Sequence, residues 1–272
     1  IRSDSIKNGL FQTIDRERAD KVDYDGKTIS DTTRKDDVWE SSLSPYVENK
    51  VQWAEKFRTV CGLRMDYYYF DVNSDLSADS GTRDDAIVSP KGSLIFGPWA
   101  ETEYYLSAGL GFHSNAGRGV TQQIDPKTGD TVKSADPLVR TKGAEIGLRT
   151  TVVKGLQSTL ALWLLDMDSE LVFSGDSGNT EAGNSSRRYG VEWTNYYTPT
   201  KWLALDADFS FSHARFRETV VNDDLGIQGR YIPDAVDSVI ATGIAFHQPG
   251  ERGLFSELRL RFFGTRPLTE DN

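Results

Sequence analysis

Within residues 202–216, Leu203, Leu205, Ala207, Phe209 and Phe211 fall on one side of an extended chain, and Ala204, Asp206, Asp208, Ser210 and Ser212 on the other. One face is apolar and the other polar. The alternation recurs: Leu254, Leu258, Leu260 and Phe262 oppose Glu257, Arg259 and Arg261, and Phe57, Thr59, Cys61, Leu63 and Met65 oppose Arg58, Gly62, Arg64 and Asp66. Pro45, Val47, Val51 and Trp53 oppose Tyr46, Glu48, Lys50 and Gln52, while Tyr189, Val191 and Trp193 oppose Arg188, Glu192 and Thr194. The pattern predicts an all-β chain, an antiparallel meander of long strands at 38–53, 57–72, 86–97, 102–115, 138–153, 156–173, 185–197, 202–217, 231–247 and 253–266. Residues 1–14 are a further candidate, and helical periodicity is absent. Ordinary globular strands have about five or six residues, so these are unusually long.

Connections alternate in length. Tight links at 54–56, 98–101, 154–155, 199–201 and 249–252 carry turn chemistry or a charge, whereas 73–85, 116–137, 174–184 and 218–230 are long, polar and rich in Asp, Gly and Ser. Short and long connections therefore segregate to opposite ends of one sheet. The long ones bury little and are expected to be mobile surface loops. Trp53, Phe57, Trp99, Tyr197 and Trp202 sit beside the short turns, and Tyr67, Tyr68, Tyr69, Phe70, Phe112, Phe173 and Tyr231 near the long loops. Two aromatic girdles, one apolar face and one polar face are the features of a transmembrane outer-membrane β-barrel.

Composition narrows the alternatives. Aromatic residues make up 11% of the chain, which marks a folded protein although the mean hydropathy is −0.49. With 41 acidic against 31 basic residues and a net charge of −10, nucleic acid is not an expected partner. The single cysteine, Cys61, excludes an internal disulfide and a cysteine zinc cluster. No run approaches the ~18 apolar residues of a membrane helix; the best, 156–165, is interrupted by Gln157, Ser158 and Thr159. A soluble sandwich or propeller also alternates, but propeller strands are short, and repeated inward charges are costly in a dry core.

Five segments carry a family resemblance: 44–53 (SPYVENKVQW), 58–67 (RTVCGLRMDY), 141–149 (TKGAEIGLR), 188–196 (RYGVEWTNY) and 258–268 (LRLRFFGTRPL). In this order they resemble successive barrel strands of TonB-dependent outer-membrane receptors. The resemblance implies part of a plugged barrel of the 22-stranded class, located in the bacterial outer membrane and taking up a scarce ligand such as a ferric siderophore or cobalamin. Implied partners are that ligand, outer-membrane lipid and lipopolysaccharide, and the energy-transducing inner-membrane complex, reached through the plug. Neither the family's amino-terminal plug nor its energy-coupling box is recognisable, the strands number about ten, and the chain runs from Ile1 to Asn272 without the terminal aromatic of such barrels. The whole of 1–272 is thus expected to be a partial receptor barrel domain lacking its plug.

No catalytic residue, metal set or cofactor is expected. His113, His213 and His247 are scattered, and Asp206 with Asp208, or Asp166 with Asp168 and Glu170, share a strand face as glycosidase carboxylates do but also as a wet wall does. Residues 71–79 space oxygen ligands like a calcium loop, with Leu76 and Thr82 where the turn glycine and closing glutamate belong. Asn184 and Ser186 match a glycosylation acceptor, without meaning on a bacterial surface. Ligand contact is expected from Arg118, Arg187, Arg188, Arg230 and Tyr231, which offer charge-assisted bonds and stacking to an anionic, aromatic molecule. The alternatives are a closed ten-stranded outer-membrane barrel with a protease-like site around His213, and a soluble β-rich binding protein.

Overall fold

The computed structural model describes residues 2–13, 29–126, 129–174, 179–222, 226–248 and 253–272. Its strands are β1 (Arg2–Thr13), β2 (Ile29–Leu43), β3 (Tyr46–Ala54), β4 (Phe57–Ser74), β5 (Gly81–Trp99), β6 (Thr102–Ser114), β7 (Leu138–Thr150), β8 (Leu156–Met167), β9 (Leu171–Ser174), β10 (Asn179–Ala182), β11 (Ser186–Thr200), β12 (Leu203–Asn222), β13 (Ile227–Tyr231), β14 (Ser238–His247) and β15 (Phe255–Phe263). Thirteen of them form one sheet in the order β1-β2-β4-β5-β6-β7-β8-β11-β12-β14-β15, with β3 beside β4 and β13 beside β12. Every pairing is antiparallel, and β9 and β10 make a separate pair. This is the predicted meander. The sheet is open: among the described residues, β1 and β15 each pair on one side only.

Three boundaries differ from expectation. The predicted strand 38–53 begins earlier and is interrupted at Ser44 and Pro45. Leu43 faces Tyr67 and Tyr46 faces Arg64, so the register is unchanged across the break. Proline has no N–H for the ladder, while its carbonyl still accepts the Met65 amide at 3.0 Å. Of the candidate 1–14, the described residues 2–13 form a full strand rather than a marginal one, paired with 29–42; segment 29–37 is uniformly polar after Ile29, so alternation could not announce it. The predicted strand 231–247 divides because 232–237 folds over β12, where Ile232 packs with Ala214 and Phe216. The tight link at 249–252 lies outside the described residues, as do 127–128, 175–178 and 223–225 within three of the long connections.

Period two sorts the side chains as expected. Leu160, Trp193, Phe209, Ile240 and Phe262 lie in one line across five strands on the outward face, and Trp193 stacks on Phe209 at 5.4 Å. Leu63, Met65, Leu106, Ile146, Leu162, Leu258 and Leu260 are exposed there, as is Cys61. Near the short turns Phe57 stacks on Phe96, Trp99 meets Tyr104 and Trp202 meets Phe246. At the long-loop end the girdle is narrower than expected. Tyr69 is outward against Trp39, but Tyr68 and Phe70 point inward, Phe70 being wholly buried; the Phe173 side chain lies outside the described residues.

Burial concentrates where the long connections fold back on the sheet. A short helix, α1 (Gly117–Thr121), which alternation did not foretell, places Gly117 against Val38 and Phe70. Val120 and Ala135 join Val38, Phe70, Val72, Ile87, Leu138 and Val139 as buried apolar residues. The expectation of a loosely held loop at 116–137 is therefore corrected. Its anchor is Asp79, fully buried, whose carboxylate accepts the amides of Gln123 at 2.8 Å and Ile124 at 3.0 Å and pairs with Arg34. The calcium-loop reading fails for the same reason: Asp79 is a counter-ion and a loop anchor, while Asp71 is exposed in β4 opposite Trp39.

Candidate functional site

The inward face is a lattice of charges bridging strands. Arg58 donates to both carboxylate oxygens of Glu103, two strands away, at 2.6 and 2.9 Å, and Arg149 reaches Glu103 from β7 at 3.3 Å. Lys91 pairs with Glu48 at 2.9 Å, the Tyr105 hydroxyl donates to Glu145 at 2.5 Å, and Arg259 pairs with Asp206 at 3.3 Å. Buried ion pairs lose solvation that their attraction only partly restores. Most of these are partly exposed instead, with Lys91 and Arg259 more than half exposed, so the face suits a water-lined interior.

This wall opens between β5 and β6. β4 and β5 pair as far as Val72 and Gly81, and β6 and β7 as far as Ser114 and Leu138, but β5 and β6 stop pairing above Lys91 and Gly109. The freed Val88 carbonyl accepts from Arg140 of β7 at 2.6 Å, and Arg83 donates to the Val120 carbonyl at 3.1 Å. Between the diverging strands lies a cavity of 760 Å³ whose lining includes Tyr46, Arg64, Tyr68, Lys91, Phe112 and His113. Tyr68 and Phe112 meet edge to face at 5.9 Å. Both His113 ring nitrogens are buried with no hydrogen-bond partner among the described residues, and unsatisfied buried polar groups are rare. Aromatic faces and an unspent imidazole can hold flat rings, while the two cations of the lining are already paired, Arg64 with Asp66 at 2.6 Å and Lys91 with Glu48 at 2.9 Å.

The five residues chosen from sequence do not converge. Arg188 faces inward and holds Glu170 at 2.8 Å, whereas its neighbour Arg187 faces outward and binds Asp166 through two bonds. Arg118 belongs to α1, its carbonyl accepting from Arg34. Tyr231 lies under the Arg215 guanidinium, 3.6 Å from the ring centroid. Arg230 lines an outward cavity together with Arg187. Consecutive strand residues must face opposite sides, so Arg187 and Arg188 could not share a pocket, and alternation already implied this. The inward parity of Arg64, Lys91 and His113 was equally legible; the divergence of β5 and β6 that makes them neighbours was not.

The enzyme-like constellations dissolve into counter-ions. His213 is outward against Tyr189 at 5.1 Å. Asp166 is outward, while Glu170 is buried and receives bonds from Ser186 and Arg188. The pair Asp206 and Asp208 faces inward, with Asp206 held by Arg259.

Comparisons with known proteins agree with this architecture. The ferric-catecholate import receptor Fiu from K12 E. coli is 13% identical with a TM-score of 0.63, over 83% of this chain and 34% of that one. The ferric yersiniabactin uptake receptor FyuA from Yersinia pestis is 14% identical with a TM-score of 0.63, over 88% and 36%. The copper transporter OprC is 18% identical with a TM-score of 0.58, over 87% and 37%. The chain thus spans about a third of the length of these structures, and at such identities they establish the fold alone. No curated protein matches by sequence. A family model described as TonB dependent receptor-like, beta-barrel, matches residues 5–272, and the chain belongs to that family.

Proposed function

We propose that this chain is part of the barrel wall of a longer outer-membrane receptor, which imports a metal bound by a small anionic chelator, with energy from the inner-membrane complex. The cavity where β5 and β6 part carries the reading: Arg64, Tyr68, Lys91 and His113 have inward parity beside it and Phe112 meets Tyr68 edge to face, so the rings of a ferric catecholate or a similar complex would stack there and its charge would compete for two cations now paired with Asp66 and Glu48. Arg118 and Arg188 lie on the same loop and lumen side, Arg188 paired with Glu170 at 2.8 Å. The ligand enters from the long-loop end, and a plug in the rest of the protein couples its release to the energised complex.

The open sheet supports the partial-domain reading. Strand edges in hydrocarbon leave N–H and C=O groups without partners, and β1, β3 and β15 each have such an edge among the described residues. Further wall strands fill them in the intact receptor. The protease-like alternative needed a closed sheet and a cluster at His213, and neither forms among the described residues. A soluble protein would not leave Leu162, Leu258, Leu260 and Phe211 exposed on one continuous face.

The test is uptake by cells that produce the full receptor as their sole route, supplied with labelled ferric catecholate, ferric yersiniabactin or copper. Uptake of one of them should stop when the membrane is uncoupled. In the Arg64→Gln, Lys91→Gln double variant it should fall more than tenfold with surface expression unchanged. Uptake that persists without energy, or is indifferent to the double variant, contradicts the proposal.

A further inference from the structure

The parting of β5 from β6 has a local cause that also fixes what the cavity offers. The Val88 carbonyl, which accepts from Arg140 of β7, marks the edge of β5 that is turned toward β6, and residues two apart in a strand share an edge. Pro90 therefore lies on that edge, and it has no N–H with which to continue the ladder above Lys91 and Gly109. On β6 the Asn115 amide bonds the Pro137 carbonyl on the β7 side. Leu110 and Phe112 consequently turn their N–H and C=O groups the other way, toward the edge that β5 has left, and both line the cavity.

The side chains there divide into charged groups already in use and neutral groups that are not. Arg64 is held by Asp66, which is wholly buried, and Lys91 by Glu48. Drawing Arg64 toward an anion would leave a buried carboxylate without its counter-ion, which is costly. By contrast, Ser89 Oγ and both His113 ring nitrogens are buried without a hydrogen-bond partner among the described residues. The lining holds no carboxylate, and Glu170, whose charge is felt at the His113 ring, is itself held by Ser186 and Arg188. An imidazolium buried without an ion pair costs far more than the neutral ring. A neutral imidazole presents one donor and one acceptor, as a hydroxyl does. Since no bond holds either side chain, each can turn its polar atoms toward a guest without breaking one.

We infer that this cavity selects metal chelates for lack of charge: it seats an uncharged flat ring that carries both a donor and an acceptor, read by Ser89, His113 and the free edge of β6. The ring lies against Tyr68 and Phe112, which meet edge to face at 5.9 Å. A volume of 760 Å³ falls within the range of about 300–1,000 Å³ usual for small-molecule sites. The inference rests on the import reading of the proposed function and narrows its cargo to complexes in which the metal cancels the charge of the chelator.

The experiment is quenching of tryptophan fluorescence of the intact receptor in neutral detergent by three ferric complexes built on one tripod. The first carries three 3-hydroxy-4-pyridinone rings joined through carbon, so that it is uncharged and keeps its ring N–H groups. The second has the same rings methylated on nitrogen, and the third carries three catecholate rings of the same shape and is trianionic. The first should bind at least tenfold more tightly than the third and at least threefold more tightly than the second. The Ser89→Ala, His113→Phe double variant should bring all three within threefold of one another. His113→Gln, which retains a donor and an acceptor, should keep most of the preference, and Arg261→Gln on the far inward wall should leave it unchanged. Equal or tighter binding of the trianionic complex, indifference to methylation, an undiminished preference in the double variant, or binding of none of the three overturns the inference. Heat-modifiable migration on gels reports folding of each variant, and the glutamine variant covers loss of the double one. A receptor that imports a chelate in energised cells but binds the trianionic complex as tightly as the uncharged one refutes this inference alone; one that discriminates as expected without energised uptake refutes only the transport reading.

Discussion

Asp79 forms an ion pair with Arg34 at 3.2 Å, and both side chains are almost completely withdrawn from solvent. The contact is one of charge rather than a hydrogen bond, since Arg34 Nη1 and Asp79 Oδ2 lack hydrogen-bond geometry. Asp36 supplies the directed bond to Arg34 at 2.8 Å, and the other Asp79 oxygen holds the amides of Gln123 and Ile124. One carboxylate therefore joins the turn between β4 and β5 to the loop between β6 and β7.

Replacing Asp79 by alanine should release that loop. Truncating one partner of a buried pair typically costs about 3–5 kcal/mol, so the Gln123 and Ile124 amides should exchange hydrogen at least ~100-fold faster. Trypsin should begin to cut at Arg118, where the parent resists. Unchanged exchange at these two amides would show that Asp79 is not the anchor.

Arginine placed at Phe209, the middle of the outward apolar face, should cost about 2–4 kcal/mol in a bilayer refolding titration. Arginine at the adjacent Ser210, which faces Glu192 across the ladder, should cost much less. Asp206 is a poor inward control because it already holds Arg259, and arginine there would set two cations together. Equal penalties at Phe209 and Ser210 would remove the distinction between a lipid face and a wet face.

Gly147 lies beneath an inward ring: a Cβ there would stand 2.6 Å from Tyr105 Cζ. Gly147→Ala should therefore destabilise by about 1–3 kcal/mol through overpacking. In a Tyr105→Ala background the same change should cost less, because the ring is gone and only the Leu160 carbonyl, 2.6 Å from the same position, still obstructs. Additivity in this cycle would mean that the ring and the glycine are independent.

At Asp237, outside the spanning strands, the Thr265 hydroxyl at 2.5 Å and then the Ser238 hydroxyl hold the carboxyl below the usual aspartate range. A lowered native pKa means that this clasp contributes above the ordinary aspartate pKa and is lost as pH falls through the lowered one. The NMR shift of the Thr265 methyl should titrate with a midpoint below that of a free aspartate. Thr265→Val should move the Asp237 midpoint upward; no movement would assign the depression to another group.

Alternation exposed the meander and the faces of β4, β8, β11, β12 and β15 because each has an apolar side and a polar one. It failed on 29–37, where Asp31, Thr33, Lys35 and Asp37 alternate with Ser30, Thr32, Arg34 and Asp36 and both sets are polar. It also failed on the docking of 116–137, since Asp79 and Gln123 are 44 positions apart and only tertiary approach joins them. For the candidate ligand residues the information was partly present: the parity of Arg187 and Arg188 separates them, and that of Arg64 and Lys91 unites them. The cavity itself depends on where β5 and β6 stop pairing, which no single strand encodes.

In the proposed receptor β12 is a membrane wall with hydrocarbon on one side and water on the other. Nitroxide labels placed singly from 205 to 212 in the intact receptor, reconstituted in lipid, test this by accessibility to oxygen and to a water-soluble nickel chelate. Positions 205, 207, 209 and 211 should favour oxygen, and positions 206, 208, 210 and 212 the nickel chelate, alternating at every step. Uniform nickel accessibility, or an alternation of opposite phase, would contradict the account.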